Sequence, residues 1–215
     1  MRRLSVTLAL FGFAAALIFT RMFPPVVGLG TTVRLPVFHG ALTWANLVLF
    51  GLMALVGAVA VLRQTELWYR WSRALRLTAV GLWLAGSVLG LIAASITWDF
   101  TAAGQSPLLL LMQEPRMRLQ FAVALMGLAV LFVPVVVQSP RAEALLDAIF
   151  ATGVLTLLYF TMGQGSDLHP NSPVMNSGDP KMKLIFYGLF IAQLVLCSGI
   201  VAGVFATSDR PHRSE

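Results

Sequence analysis

The chain has 215 residues, of which 58% are hydrophobic and 11% are charged, and its mean hydropathy is +0.82. Soluble domains carry about a quarter charged residues, so this composition excludes an ordinary soluble protein and indicates an integral membrane protein. The net charge of +6 does not indicate a nucleic-acid partner, because the basic residues stand at the ends of apolar segments, where they contact the lipid bilayer. The single Cys197 excludes a disulfide framework.

Six apolar segments are long enough to cross a bilayer, which takes roughly 20 residues each. The first follows Arg2 and Arg3, as a signal peptide would, but no small-residue cleavage site comes after it, so we interpret it as a retained helix. The sequence therefore predicts an all-α integral membrane protein in which residues 1–215 form a single six-helix transmembrane domain. The predicted spans are Leu4–Thr20, Gly40–Leu62, Leu77–Thr97, Leu119–Gln138, Leu146–Gly163 and Leu184–Ala206.

The basic residues predict the orientation of these spans. With the N-terminus inside, nine Lys or Arg residues lie on the inner side and six on the outer side, a bias that places both termini in the cytoplasm. The segment Arg63–Arg76 is then a cytoplasmic turn, in which Trp68, Tyr69 and Trp71 anchor the chain at headgroup level. The outer loops are 21–38, 98–118 and 164–183, and we expect the functional site among them, because loops on a rigid scaffold tend to carry function.

Two histidines lie on this predicted outer side. His39 follows the segment Leu35–Phe38 at the start of the second span, and His169 lies in the last outer loop, directly before Pro170, which restricts its backbone. Neutral imidazole is a common ligand of haem iron, so the pair suggests one shared haem. The alternatives are an interfacial histidine bonded to loop backbone for His39 and an exposed loop residue for His169. We assign no role to His212, in the predicted cytoplasmic tail.

The middle outer loop offers further candidate contacts. Trp98 and Phe100, with Asp99 between them, can flank a porphyrin face or act as ordinary interfacial aromatics. Arg116 can pair with a haem propionate or anchor a helix end. The apolar run Pro107–Met112 would be an aggregation liability in water, so we expect it to lie flat in the interface or to cover an apolar ligand.

Several kinds of chemistry have no signal in the sequence. It shows no Gly-rich phosphate loop and no Ser/His/Asp or Cys/His set, so we predict that the protein is not an enzyme. We also expect the membrane interior to hold no buried Asp, Glu, Lys or Arg away from helix ends. Proton pumps and ion-coupled transporters usually carry such residues, so this expectation argues against both classes.

The layout resembles that of the haem-handling membrane proteins of cytochrome c assembly, the CcmC/CcsA group. In that family a six-helix chain carries one histidine at the outer start of its second helix and another in the outer loop between helices five and six. The matching residues here are His39 in VFHGALTWAN and His169 in SDLHPNSP. Gly86-Ser87 and Glu114-Pro115-Arg116 resemble the family's Gly-Ser and Asp-x-Arg, which flank a tryptophan-rich outer segment. This chain has only Trp98, followed by Asp99, in that segment.

The resemblance implies a multi-pass protein of the bacterial inner membrane. It would hold haem b at the outer face between His39 and His169 and present it to a periplasmic acceptor for attachment to apocytochrome c. It would work with other membrane subunits of cytochrome c assembly. Two alternatives stay open from the sequence: a cytochrome b-like electron carrier that exchanges electrons with quinol, and a non-haem structural subunit of a membrane complex.

Overall fold

The computed structural model describes residues 2–98, 106–162 and 174–208. Regular structure in these ranges is helical, and six of the helices are long and apolar enough to cross a membrane. The prediction of an all-α protein with six membrane-spanning helices is confirmed on that basis. The helices are α1 Arg2–Met22, α2 Arg34–Arg63, α3 Glu66–Thr97, the short α4 Pro107–Gln113, α5 Pro115–Val137, α6 Pro140–Met162 and α7 Pro180–Thr207, with a 3₁₀ turn at Thr31–Val33.

The six long helices run up and down, so that each end of the bundle is built from alternate helix starts and helix ends. For example, Ser5 of α1 lies beside Gly203 of α7, whereas Phe19 of α1 lies beside Gly188 of α7. We call the end that carries the start of α1 and the end of α7 the terminal end. The opposite end, which carries α4 and the residues before α7, is the loop end.

Local sequence explains where several helices begin and end. Proline is the first residue of α4, α5 and α7, a position where its missing N–H group costs nothing. The Asp179 carboxylate accepts a hydrogen bond from the Lys181 backbone N–H at the start of α7, at 2.8 Å. At the C-terminal ends of α2 and α5, Gln64 and Gln138 adopt left-handed backbone angles and so terminate these helices.

The prediction that Arg63–Arg76 forms a long turn is wrong, because the connection between α2 and α3 is much shorter. Helix α2 continues to Arg63 and α3 starts at Glu66, so only two residues connect them. Trp71 lies on α3, where its ring stacks on Phe205 of α7 with centroids 4.1 Å apart. Hydropathy indicates which residues lie in the apolar core of the bilayer. The backbone hydrogen bonds of a helix form between polar residues as well as apolar ones, so the helix extends beyond its apolar part.

The predicted interfacial run Pro107–Met112 forms α4. The Ser106 hydroxyl accepts the Leu109 backbone N–H and caps the helix. Leu110 is buried, whereas Leu109 and Met112 are each 49% exposed. The run is therefore a short helix in which Leu110 is buried, and its contact with the bilayer surface or with a ligand stays a prediction.

Close packing of α1 on α7 depends on two glycines. A Cβ atom on Gly12 would overlap the backbone nitrogen of Leu196, and one on Gly199 would overlap the backbone nitrogen of Ala9. Lipid provides no hydrophobic driving force between helices, so their association relies on van der Waals contact, which small residues permit. These two glycines therefore hold α1 against the bundle.

We predict that Gly199→Ala weakens the α1–α7 contact by about 1–3 kcal/mol, the usual cost of overpacking. Gly203→Ala is the matched control one turn away, because a Cβ atom there meets only the Ser5 hydroxyl, at 3.5 Å. Unfolding of the purified protein in mixed micelles measures both variants. Equal stability of the two variants would contradict the packing argument.

We predict that the terminal end faces the cytoplasm. In a Cys197→Ala background, Asn176→Cys should react with an impermeant thiol reagent on intact cells, whereas Thr65→Cys should react only after permeabilisation. Both native side chains are exposed, so accessibility within the protein does not limit either reaction. The reverse labelling pattern would overturn the orientation.

Candidate functional site

His39 lies at the loop end of the bundle, on the second turn of α2, which begins at Arg34. Its imidazole packs between α2 and α3. A Cβ atom on Gly90 of α3 would lie 2.9 Å from Cε1 and 3.0 Å from Nε2 of His39, and 3.0 Å from Nε2 of Gln120 on α5. The absence of a side chain at Gly90 therefore makes room for the ring, which lies where three helices meet.

The other described candidates lie at the same end. Arg116 precedes Gln120 by four residues on α5, so it lies about one turn, or ~6 Å, nearer the loop end. It is partly buried. Trp98 directly follows the last residue of α3 and stands about two turns beyond Gly90. The fold thus places His39, Arg116 and Trp98 at one end of the bundle, with Arg116 a single turn from Gln120, which packs near Gly90 as the imidazole does.

The predicted haem site is only partly within the described residues, since Asp99, Phe100 and His169 lie outside them. The described part supplies one imidazole. The Cε1–Nε2 edge of that imidazole faces Gly90, so iron ligation through Nε2 requires the ring to turn away from α3. In residues 2–98, 106–162 and 174–208, no group of three or more His, Cys, Asp or Glu residues can hold a metal ion.

A second polar site lies near the terminal end, inside the bundle. Arg76 of α3 donates one hydrogen bond to the Asp147 carboxylate, at 3.3 Å, and another to Glu143, at 2.9 Å. The Ser72 hydroxyl donates to the second oxygen of Asp147, at 2.7 Å. Arg76 and Asp147 are each 1% exposed, and the Glu143 side chain is 19% exposed. We call these four residues the Arg76 cluster.

The Arg76 cluster shows that the expected absence of buried charges is wrong. Arg76 is the eleventh residue of α3 and Asp147 the eighth of α6, so both lie about two turns or more inside their helices. The sequence predicts Arg76 at the end of the cytoplasmic turn Arg63–Arg76, because an arginine usually marks the edge of a span. The four-residue spacing of Ser72 and Arg76, and of Glu143 and Asp147, was the available signal, because each pair lies on one helix face.

A cavity of about 120 Å³ connects the cluster with the terminal end. Ser72, Glu143 and Asp147 form part of its wall, and exposed residues such as Glu66 and Arg73 stand at its edge. Arg70 also lines it, with its guanidinium 4.3 Å from the Phe205 ring centroid. The space is polar and large enough to hold water, as buried polar groups require. The cavity therefore gives Ser72, Glu143 and Asp147 a route to water at that end.

The chain matches no protein-family model, no curated protein and no solved structure. The resemblance to haem-handling proteins accordingly rests on the residues around His39 and His169 and on the six-span layout. The Arg76 cluster rests on the geometry alone.

We predict that Arg76→Met destabilises the protein by about 3–5 kcal/mol, because removal of one partner leaves buried charge without compensation. Arg73→Met is the control on the same helix. Arg73 is exposed, so its loss should change the free energy of unfolding by no more than about 0.5 kcal/mol. Unfolding in mixed micelles at neutral pH measures both. A similar effect of the two substitutions would show that the Arg76 ion pairs do not stabilise the bundle.

Proposed function

We propose that this chain is a haem-handling membrane protein of cytochrome c assembly, with His39 as one axial ligand of haem b and His169 as the other. It would present the haem to a periplasmic acceptor, in the bacterial inner membrane and alongside other assembly subunits. The observation that carries the proposal is the placement of His39 at the loop end, where α2, α3 and α5 meet, with Arg116 at the same end of α5. This is the end that the basic residues orient outward.

The surroundings of His39 favour a positioned ligand over a mobile surface histidine. The ring lies in the space that Gly90 leaves open, so its position is set by packing against α3 as well as by its own helix. The Thr43 hydroxyl donates to the His39 carbonyl, at 3.0 Å, and the Gln193 amide donates to the carbonyl of Phe38, at 3.1 Å. The Gln193 bond ties α2 to α7 beside the imidazole, and a preorganised side chain loses less entropy when it binds a ligand.

Each remaining candidate has a limited role in this proposal. Arg116 would pair with a haem propionate, since an arginine binds a carboxylate through two parallel hydrogen bonds. Trp98 would contact the porphyrin edge. His39 and His169 would hold the haem iron, and ligation by two imidazoles would disfavour oxygen chemistry there. The protein makes and breaks no covalent bond in this scheme, consistent with the lack of a recognisable catalytic set in its sequence.

A second candidate function is that of a non-haem subunit of a membrane complex. The packing of the Cε1–Nε2 edge of His39 against Gly90 favours it, because in this role the imidazole only packs α2 against α3. The visible absorption spectrum of the purified protein separates the two functions, since only the haem protein has a Soret band.

We predict that Gly90→Ala perturbs the haem site while Gly86→Ala does not. Alanine at 90 forces the imidazole to shift, whereas a Cβ atom at 86 meets only a Leu42 methyl group, at 3.8 Å. With haem added to the purified protein, Gly90→Ala should reduce the low-spin absorption, and His39→Ala should abolish it. Gly86→Ala should retain the parent spectrum.

Helix content measured by circular dichroism controls for misfolding of these variants. Imidazole added to His39→Ala should restore part of the low-spin spectrum, because it can occupy the vacated axial position. If His39→Ala binds haem as the parent does, His39 is not a ligand, and the proposal loses the haem ligand that lies within the described residues. A parent protein without any Soret band after haem addition would favour the non-haem subunit.

A further inference from the structure

The Arg76 cluster holds more acidic than basic groups. Two carboxylates, those of Glu143 and Asp147, share the single guanidinium of Arg76. Among the described residues, Arg76 is the only cation within 4.0 Å of either carboxylate. If both acids were ionised, the cluster would carry one excess negative charge in an apolar bundle. An uncompensated buried charge is costly, and a carboxyl group in that position usually takes up a proton.

No other helix in contact with α6 supplies a charge that offsets this excess. Helix α2 packs against this part of α6 through Gly57, which faces Ala144 and Ala148, and it has no titratable residue between His39 and Arg63. Helix α5 has none between Arg118 and its end at Val137. On α3, the titratable residues at the cavity wall are Glu66, Tyr69, Arg70 and Arg73, and α6 begins with Pro140 and the exposed Arg141. The two cavity arginines, Arg70 and Arg73, do not come within 4.0 Å of the Glu143 or Asp147 carboxylate.

The cavity gives both acids a route to water. Its wall includes Glu143 and Asp147 together with the Ser72 hydroxyl. In addition, Nε of Arg76 is buried and has no hydrogen-bond partner in the part of the chain that the structure describes. A buried donor of this kind usually bonds to an ordered water, so the guanidinium retains the capacity to bind one beside the carboxylates. The cavity therefore provides a route for water between the two acids and the terminal end.

We propose that the Arg76 cluster is a proton-binding site that takes up one exchangeable proton from the aqueous phase at the terminal end, on Asp147, the more deeply buried of its two acids. The proton supplies the positive charge that two carboxylates and one guanidinium lack. On the loop-end side the cluster adjoins an apolar core that includes Phe50, Met53 and Val154, so the proton enters and leaves at the terminal end. This site is independent of haem and of His39.

Proton uptake also changes how α3 and α6 are joined. With both acids ionised, Arg76 bonds to two charged partners four residues apart on α6. With one acid protonated, only one of these bonds remains an ion pair, and hydrogen bonds to an ionised partner are roughly twice as strong as neutral ones. The protonation state of the cluster therefore alters the strength of the α3–α6 contact near the terminal end.

Infrared difference spectroscopy of the purified protein in lipid nanodiscs tests the proposal. A protonated carboxyl group has a C=O stretch that is separate from the carboxylate bands and shifts in deuterated water. We expect such a band in the parent protein at neutral pH, with loss of the band as the pH rises. Asp147→Asn and Glu143→Gln should each remove it, because each leaves one carboxylate for one guanidinium. Glu66→Gln, at the exposed edge of the cavity, should retain it.

Isotope labelling of the parent protein keeps the test decisive if the variants fold poorly. Carbon-13 in the side-chain carboxyl groups of Asp and Glu should shift the band without any substitution. A parent spectrum with only carboxylate bands at neutral pH would overturn the proposal and make the cluster a permanently ionised structural link. A band that disappears on addition of sodium at constant pH would also overturn it, because the site would then bind a metal cation in place of the proton.

Discussion

Hydrocarbon offers no hydrogen-bond partner to a peptide group, and the other features of this bundle depend on that constraint. Each spanning segment must satisfy its own N–H and C=O groups, so each forms a continuous helix. Once the helices exist, apolar side chains gain little by leaving lipid for protein, and contact between helices relies on close packing. Gly12 and Gly199 meet this requirement between α1 and α7, and Gly57 does so where α2 crosses Ala144 and Ala148 of α6.

The same constraint makes the polar residues within the bundle informative. At the loop end, His39 lies in space that Gly90 leaves open, beside Gln120. Near the terminal end, Arg76 joins Asp147 and Glu143 beside a cavity. Ionisable residues at such depth are rare and mark functional sites by default. The argument against ion-coupled function drawn from sequence no longer holds, because it depended on the absence of such residues.

The two sites have different support. The proposal for His39 depends on a resemblance to haem-handling proteins and on the placement of one imidazole, while its predicted partner His169 lies outside the described residues. The Arg76 cluster needs no resemblance, since its ion pairs, its burial and the cavity beside it are features of the described residues. A protein with haem at one end and a proton site at the other would exchange charge with both aqueous phases, and the two sites can be tested separately.

The sequence by itself determined that the protein is helical, spans a membrane six times and carries His39 near one end of its second helix. These follow from segment length and hydropathy, which are local properties. Only the tertiary structure decided that Arg76 meets Asp147, 71 positions away, and that Gly90 adjoins His39. Hydropathy reports the average environment of a segment and does not specify which face of a helix contacts which neighbour. That choice depends on packing between helices distant in sequence. In this chain, packing places Arg76, which the sequence predicts at the edge of a span, at the centre of a buried charge cluster.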